Sequence, residues 1–286
     1  MRRLLVQLDG DRLPSAFDRI VASDAGADDV LSYGAVAEAD VQGLVHGAIF
    51  TRGQKDLKNT ALFVGGSSMP AAERLLEAAR KAFFGPFRVS VMLDANGSNT
   101  TAAAAVVKLV RAAGGDVRGW RVAVLAGTGP VGMRAAGLFL RLGAEVRITS
   151  RDAAHGTATA NIIGERFKGK VESITARSPT DAQDLLGWAQ LLLAAGPAGV
   201  ALVPRDLWAG RSALRAVADV NAVPPLGIEG VEVTDDGAQR NGIPAFGALG
   251  IGGLKMKAHK AAIAQLFERN DLVLDAEQIY DLAAAL

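Results

Sequence analysis

The chain contains no cysteine. That excludes a disulfide framework, a thiolate metal site and a cysteine nucleophile. Histidine is scarce: His46, His155 and His259 are the three present, each isolated and without a spacing such as HExxH, so no metal site is expected. An excess of either charge is missing too, since 31 Lys and Arg face 30 Asp and Glu for a formal net charge of +1. Such a balance gives no reason to expect a nucleic-acid or acidic-polymer partner and favours a small molecule. Long apolar runs are absent near the start, where "MRRLLVQLDG" breaks at Asp9, too soon for a signal-peptide core or a membrane span. The expectation is a soluble cytoplasmic protein. Neither "GSSM" nor "NGSN" forms a GxSxG elbow, and no Ser, His and Asp set can be assigned from spacing.

What the chain does have is 286 residues, half of them hydrophobic, with 33 Gly, enough for one large or two modest domains. Short apolar runs alternate with amphipathic segments. "RLLVQLD", "DDVLSYG", "NTALFVGG" and "RVSVMLD" read as strands, while "PSAFDRIVASDAGA", opened by Pro14, "EADVQGLVHGAI" and "SSMPAAERLLEAARKAFF" read as helices. This alternation predicts a parallel sheet covered by helices. "NTTAAAAVVKLVRAAGG", with Asn99 or Thr100 as N-cap and Gly114 as its stop, reads as a helix joining two lobes. The pattern resumes at "GWRVAVLAG" and ends in "DAEQIYDLAAAL", a helix capped by Asp275 and expected to pack back on the first lobe. The predicted architecture is α/β, with an N-terminal parallel domain over 1–100 plus about 272–286, and a Rossmann-type domain over 101–271.

The most informative motif is "VLAGTGPVG". Gly127, Gly129 and Gly132 form GxGxxG directly after one strand and ahead of a helix that starts near Pro130. In that context Gly127 permits a tight turn, Gly129 lets backbone approach a pyrophosphate, and Gly132 lets the helix pack closely on the strand. Thr128, Pro130 and Val131 complete the turn, and the helix N-terminus offers N–H groups and partial positive charge to the phosphates. An NAD site would usually place Asp or Glu at the end of the next strand, roughly twenty residues past the glycines. Here that strand ends in Thr149, Ser150 and Arg151. A hydroxyl that donates and a planar guanidinium suit a 2′-phosphate, so NADP is favoured, although the neighbouring Asp152 weakens the preference.

The missing triad does not weaken a redox reading, because hydride transfer between two bound rings mainly needs positioning in a dry cleft. Three polar clusters could line such a cleft: "LDANGSNTT" with Asp94 and Asn99, "FTRGQKD" with Arg52 and Lys55, and "FGALGIGGLKMKAHK" with Lys255, Lys257 and Lys260. Lys255 stands out among the lysines because it follows glycine-rich backbone at an expected helix start, where a cation adds nothing to helix stability.

The strings "PSAFD", "IFTRG", "FVGG", "FFGPFRVS", "LDANGSNTTAAA", "VLAGTGPVGMRAA", "ADVNAVPPLGI" and "FGALGIGGLK" run over nearly the whole chain. On these the chain resembles the bacterial NADP-dependent methylene-tetrahydromethanopterin and methylene-tetrahydrofolate dehydrogenases of methylotrophs. The resemblance implies two α/β lobes with cofactor and pterin meeting in the cleft between them, a homo-oligomer (most readily a trimer), and direct hydride transfer to NADP. It implies that "GTGPVG" holds the pyrophosphate, Ser150 and Arg151 the 2′-phosphate, and Asp219 and Asn221 the nicotinamide end. Lys255 would meet the pterin head or its one-carbon unit and would be the catalytic residue. Asp18, Asp94 and Asn99 would be further pterin contacts. No YxxxK helix of the ordinary folate dehydrogenase and cyclohydrolase type is present, so cyclohydrolase activity is not expected. A shikimate-type NADP dehydrogenase and a redox-sensing NADP binder without turnover are the alternatives.

Overall fold

The computed structural model describes all 286 residues, which divide into two compact units, one of Met1–Thr100 with Met256–Leu286 and the other of Thr101–Lys255. The first contains β1 (Leu4–Asp9), α1 (Ala16–Asp24), β2 (Asp29–Tyr33), α2 (Glu38–Ile49), β3 (Thr60–Gly65), α3 (Met69–Ala82) and β4 (Ser90–Leu93), and α4 (Ser98–Ala112) begins in it. The second holds β5 (Arg121–Leu125), α5 (Pro130–Arg141), β6 (Glu145–Ser150), α6 (Ala153–Phe167), β7 (Val171–Thr175), α7 (Gln183–Trp188) and β8 (Leu191–Ala194). It continues through α8 (Arg205–Trp208), β9 (Ala216–Asp219), β10 (Asp236–Arg240) and β11 (Ile243–Phe246). The chain then leaves it within α9 (Ala248–Gln265), and β12 (Val273–Leu274) and α10 (Ala276–Ala285) complete the first unit.

The first unit is built on a parallel five-stranded sheet in the order β12-β4-β3-β1-β2. The central β3, "TALFVG", is buried along its whole length, as expected for a strand covered on both faces. The second unit has a seven-stranded sheet in the order β10-β11-β9-β8-β5-β6-β7, parallel apart from the β10–β11 pair. From β5 the chain winds to β6 and β7 on one side, then returns to β8 and β9 on the other. The carboxyl end of β5 is thus a topological switch point, the usual ligand position in an open α/β sheet.

Local chemistry explains most element boundaries. Helix α2 covers "EADVQGLVHGAI", as its spacing predicts, and α10 starts after Asp275, whose carboxylate accepts from Ala276 N. Helix α1 starts two residues beyond Pro14, because Ser15 is the N-cap and its hydroxyl accepts from Asp18 N. Helix α4 does not use Asn99 or Thr100 as its cap. Asp94, at the end of β4, accepts from both of their backbone N–H groups at 2.9 and 3.1 Å, so a carboxylate outside the helix caps it. The return to the first unit occurs at 256 rather than near 272, because α9 is one unbroken helix whose later residues, among them Ala258, His259, Ala262 and Ile263, are fully buried. No helix is long and apolar enough to cross a membrane.

Candidate functional site

In the second unit the turn between β5 and α5 is shaped by three glycines with different duties. A Cβ on Gly127 would stand 2.7 Å from Ile148 Cβ, and one on Gly132 would stand 2.7 Å from Gly127 Cα. Both are therefore required by packing of the turn on β6 and of α5 on the turn. The left-handed backbone of the turn falls on Ala126, at φ 50°, not on Gly127. Gly129 differs, since a Cβ there would meet nothing closer than 3.8 Å within the chain. Packing does not require its bare backbone; a ligand approaching the N-terminus of α5 would. Gly129 is the N-cap of α5 and Pro130 its first residue, so the N–H groups of the first turn open beside that space. Thr128 and Val131 flank it, half-buried. The residues present fit a dinucleotide pyrophosphate.

At the end of β6, Thr149 stitches the turn in place: its carbonyl accepts from Gly127 N and its hydroxyl from Ala126 N. Ser150 is buried, and its hydroxyl donates to the Asp152 carbonyl at 2.7 Å. The one hydrogen expected for a 2′-phosphate is thus used locally. Arg151 is exposed. Asp152, the acid that could repel a phosphate, caps α6 by accepting from His155 N at 2.7 Å.

Asp219 ends β9 with 1 % exposure. Its two oxygens accept from Asn221 N at 2.9 Å and Ile228 N at 2.8 Å, closing the loop "NAVPPLG". Burial pushes its carboxyl above the ordinary value, and the N–H groups of Asn221, Ile228 and Gly227 oppose that rise. Asn221 accepts from Val223 N and donates to the Pro225 carbonyl. Both residues shape this loop from within.

In the first unit, Asp18 and Asp94 flank a residue that the sequence pattern left aside, and Asn99 adjoins them through its backbone N–H on Asp94. His259 of α9 is fully buried, with Nε2 3.9 Å from Asp18 Oδ1 and Nδ1 3.8 Å from Asp94 Oδ2. Its ring stacks on Phe63 of β3, at 5.8 Å between centroids and 11° between planes. Asp94 also accepts from the Thr100 hydroxyl at 2.6 Å. Asn99 is fully buried and donates to the Leu93 carbonyl at 2.6 Å and to Asp275 Oδ1 at 2.9 Å, tying β4, α4 and α10 together. A signal for His259 was present in "KMKAH": it follows Lys255 by four residues, which places both side chains on one side of α9.

Lys255 is half-buried and lies inside α9, seven residues past its first residue Ala248, rather than at a helix start. Gly247 and Gly250 are packing glycines, since a Cβ on either would come within 2.0 Å of the Glu232 or Asp235 carbonyl oxygen. Lys260 pairs with Asp24 at 2.9 Å on the surface, and Arg52 donates to the Asn59 carbonyl. No group of three or more His, Asp or Glu side chains is arranged to hold a metal.

A doubly wound sheet with an open glycine turn at its switch point, combined with a second parallel α/β unit, defines the class: a two-unit Rossmann-type dehydrogenase fold. Solved structures of that fold match along the whole chain. They include shikimate 5-dehydrogenase from Listeria monocytogenes in complex with shikimate and NAD, with a TM-score of 0.56 and 14% identity over 98% of this chain and 96% of that one. Quinate dehydrogenase from Corynebacterium glutamicum in complex with NAD matches with a TM-score of 0.55 and 14% identity over 100% and 99% of the two chains. At such identity the likeness is one of fold. Residues 16–96 match the family model described as methylene-tetrahydromethanopterin dehydrogenase, N-terminal. The chain is 50% identical to "Bifunctional protein MdtA" of Methylorubrum extorquens over 99% of its own length and 98% of the relative's. It is 31% identical to the NAD(P)-dependent methylenetetrahydromethanopterin dehydrogenase of the same organism, over 95% and 94% of the two chains. The chain belongs to the methylene-tetrahydromethanopterin dehydrogenase family.

Proposed function

We propose that this chain oxidises the methylene group carried by a reduced pterin, tetrahydromethanopterin or tetrahydrofolate, with NADP as the oxidant. The methylene carbon gives up a hydride and becomes the methenyl cation, while NADP becomes NADPH, so electrons and charge balance without a further reactant. The nicotinamide ring of NADP supplies the hydride-accepting carbon when it is bound. The part played by the protein is positional and electrostatic. Gly129 and the first turn of α5, with Thr128, Pro130 and Val131 around them, receive the pyrophosphate, and Gly127 and Gly132 hold that turn in shape. Arg151 meets the 2′-phosphate, and Ser150 shapes the turn beneath it. Asp219 and Asn221 support the nicotinamide end through the loop they fasten.

On the pterin side we place Asp18 and Asp94, the two carboxyl groups that flank His259. Lys255 serves as the catalytic residue, offering a charged donor to the pterin ring, and Asn99 supports the site through its ties to Leu93 and Asp275. No side chain is asked to remove a proton. The observation that carries this reading is the open space at Gly129 in a chain of this family. From the family resemblance we also infer a cytoplasmic homotrimer, which sedimentation equilibrium of the purified chain would test.

The reaction is tested by following absorbance at the NADPH band with both methylene pterins and both nicotinamides. Turnover of at least one pterin with NADP is expected. Tight NADP binding without turnover on either pterin would instead indicate a redox sensor, and turnover with NAD alone would remove the NADP assignment.

A further inference from the structure

The loss of Ser150 as a phosphate donor leaves Arg151 without the partner that the sequence assigned to it. A phosphate dianion is usually gripped by more than one charge-assisted donor, and the adjoining strand brings another. Strands β6 and β7 are parallel, with Ser150 opposite Thr175. The ladder extends one step further, because Ala176 N donates to the Ser150 carbonyl at 2.8 Å. The next residue is Arg177, whose Nε donates to the Arg151 carbonyl at 3.3 Å. Two guanidinium side chains are thereby set at neighbouring strand ends, beyond the carboxyl edge of the sheet that carries the glycine turn.

The loop holding Arg177 is anchored independently of its side chain. Asp181 Oδ2 accepts from the backbone N–H of Arg177 and of Ser178, both at 2.8 Å. The N–H groups of Ser178 and Arg177 and the Ser178 hydroxyl hold the Asp181 carboxyl below its ordinary value, and the Arg177 guanidinium adds to that. Asp152, the other nearby acid, is turned to the α6 N-terminus. Like charges at adjacent strand ends repel unless an anion lies between them; Asp152 and Asp181 are held on backbone N–H groups, and Asp181 also offsets part of the Arg177 charge.

We propose that Arg177 is a specificity-determining residue that, together with Arg151, clasps the 2′-phosphate of NADP and sets the preference for NADP over NAD. This rests on the reading that the glycine turn binds NADP. The planar fork of Arg177 is suited to such a grip. One nitrogen is fixed on the Arg151 carbonyl, which orients the guanidinium plane and lowers the entropy cost of holding the phosphate with the rest.

The test is calorimetric titration of the full chain with 2′,5′-ADP and with 5′-ADP, using wild type, Arg151→Ala, Arg177→Ala and Arg177→Lys. Wild type should prefer the 2′-phosphorylated probe. Arg177→Ala should weaken 2′,5′-ADP by about tenfold or more, the size of one hydrogen bond to a charged group, and leave 5′-ADP unchanged. Arg177→Lys should fall between the two, because it keeps the charge and loses the fork. A wild-type preference that survives intact in Arg177→Ala overturns the role of Arg177 while leaving the NADP reading in place. Equal weakening of both probes overturns it too, by showing that the side chain only supports the loop. Equal affinity of wild type for both probes removes the NADP reading itself, and the clasp with it.

Discussion

The turn at Gly127–Gly132 and the cluster around His259 both sit at the carboxyl ends of parallel strands, yet they are made from different materials. The turn is built from backbone: Gly127 and Gly132 are bare for packing, and Gly129 leaves space that packing does not require. The cluster is built from side chains delivered by α1, by the end of β4 and by α9, and it is buried: His259 and Asp94 have no exposure and Asp18 has 8%. A backbone site is local in sequence, since its parts lie within six residues. A side-chain site of this kind joins residues more than two hundred positions apart, so its stability and its function cannot be separated easily.

The largest expected effect tests that inseparability. Asp94→Ala leaves the buried N–H groups of Asn99 and Thr100 and the Thr100 hydroxyl without their acceptor, so it should cost about 3 kcal/mol in urea unfolding. A loss near zero would show that the carboxylate is retained for substrate and not for capping. Next, Gly132→Ala must push the turn aside because its Cβ meets backbone at 2.7 Å. Affinity for NADP should fall about a hundredfold, as a displacement near 1 Å can cost that much, and fluorescence titration reads it.

Lys255→Ala should lower kcat/KM for the methylene pterin by more than about tenfold, the loss of one charged contact, with NADP affinity unchanged. Unchanged kcat and KM would take Lys255 out of the site. Gly129→Ala sharpens the contrast with Gly132: its Cβ has ordinary room, so the melting temperature should stay put while NADP binding weakens by about fivefold. Equal thermal penalties in the two variants would mean that Gly129 serves packing as well.

The smallest effect concerns pH. Burial raises the Asp219 carboxyl above its ordinary 3.8. The folded protein therefore holds that proton more tightly than the unfolded chain does. The associated stability is complete below 3.8 and is lost as pH rises through the raised value. The stability of wild type relative to Asp219→Asn should decline from about pH 4 upward and then level off. Urea midpoints across that range would reveal a flat difference if the carboxylate were relaxed.

Much of the fold was legible because parallel strands buried on both faces read as apolar runs, as in "ALFV" and "LLLA", and because a cap such as Asp275 acts within three residues. The cap of α4 was misplaced for a physical reason: Asp94 reaches in from four residues before the helix, across a short turn. Lys255 was expected at a helix start because glycines ordinarily end or precede helices. Here Gly250, Gly252 and Gly253 lie inside α9, and close packing on the Asp235 carbonyl makes Gly250 the fitting residue.

By itself the sequence determined that a GxGxxG turn follows β5, that cysteine chemistry is excluded, and that the strand after the turn ends in Ser150 and Arg151. These are features of composition or of contacts within a few residues. Only the tertiary structure decided that the Ser150 hydroxyl is already used, that Arg177 lies beside Arg151, and that His259 stands between Asp18 and Asp94. Strand register and helix packing bring such groups together across long stretches of chain, and no local pattern encodes a register.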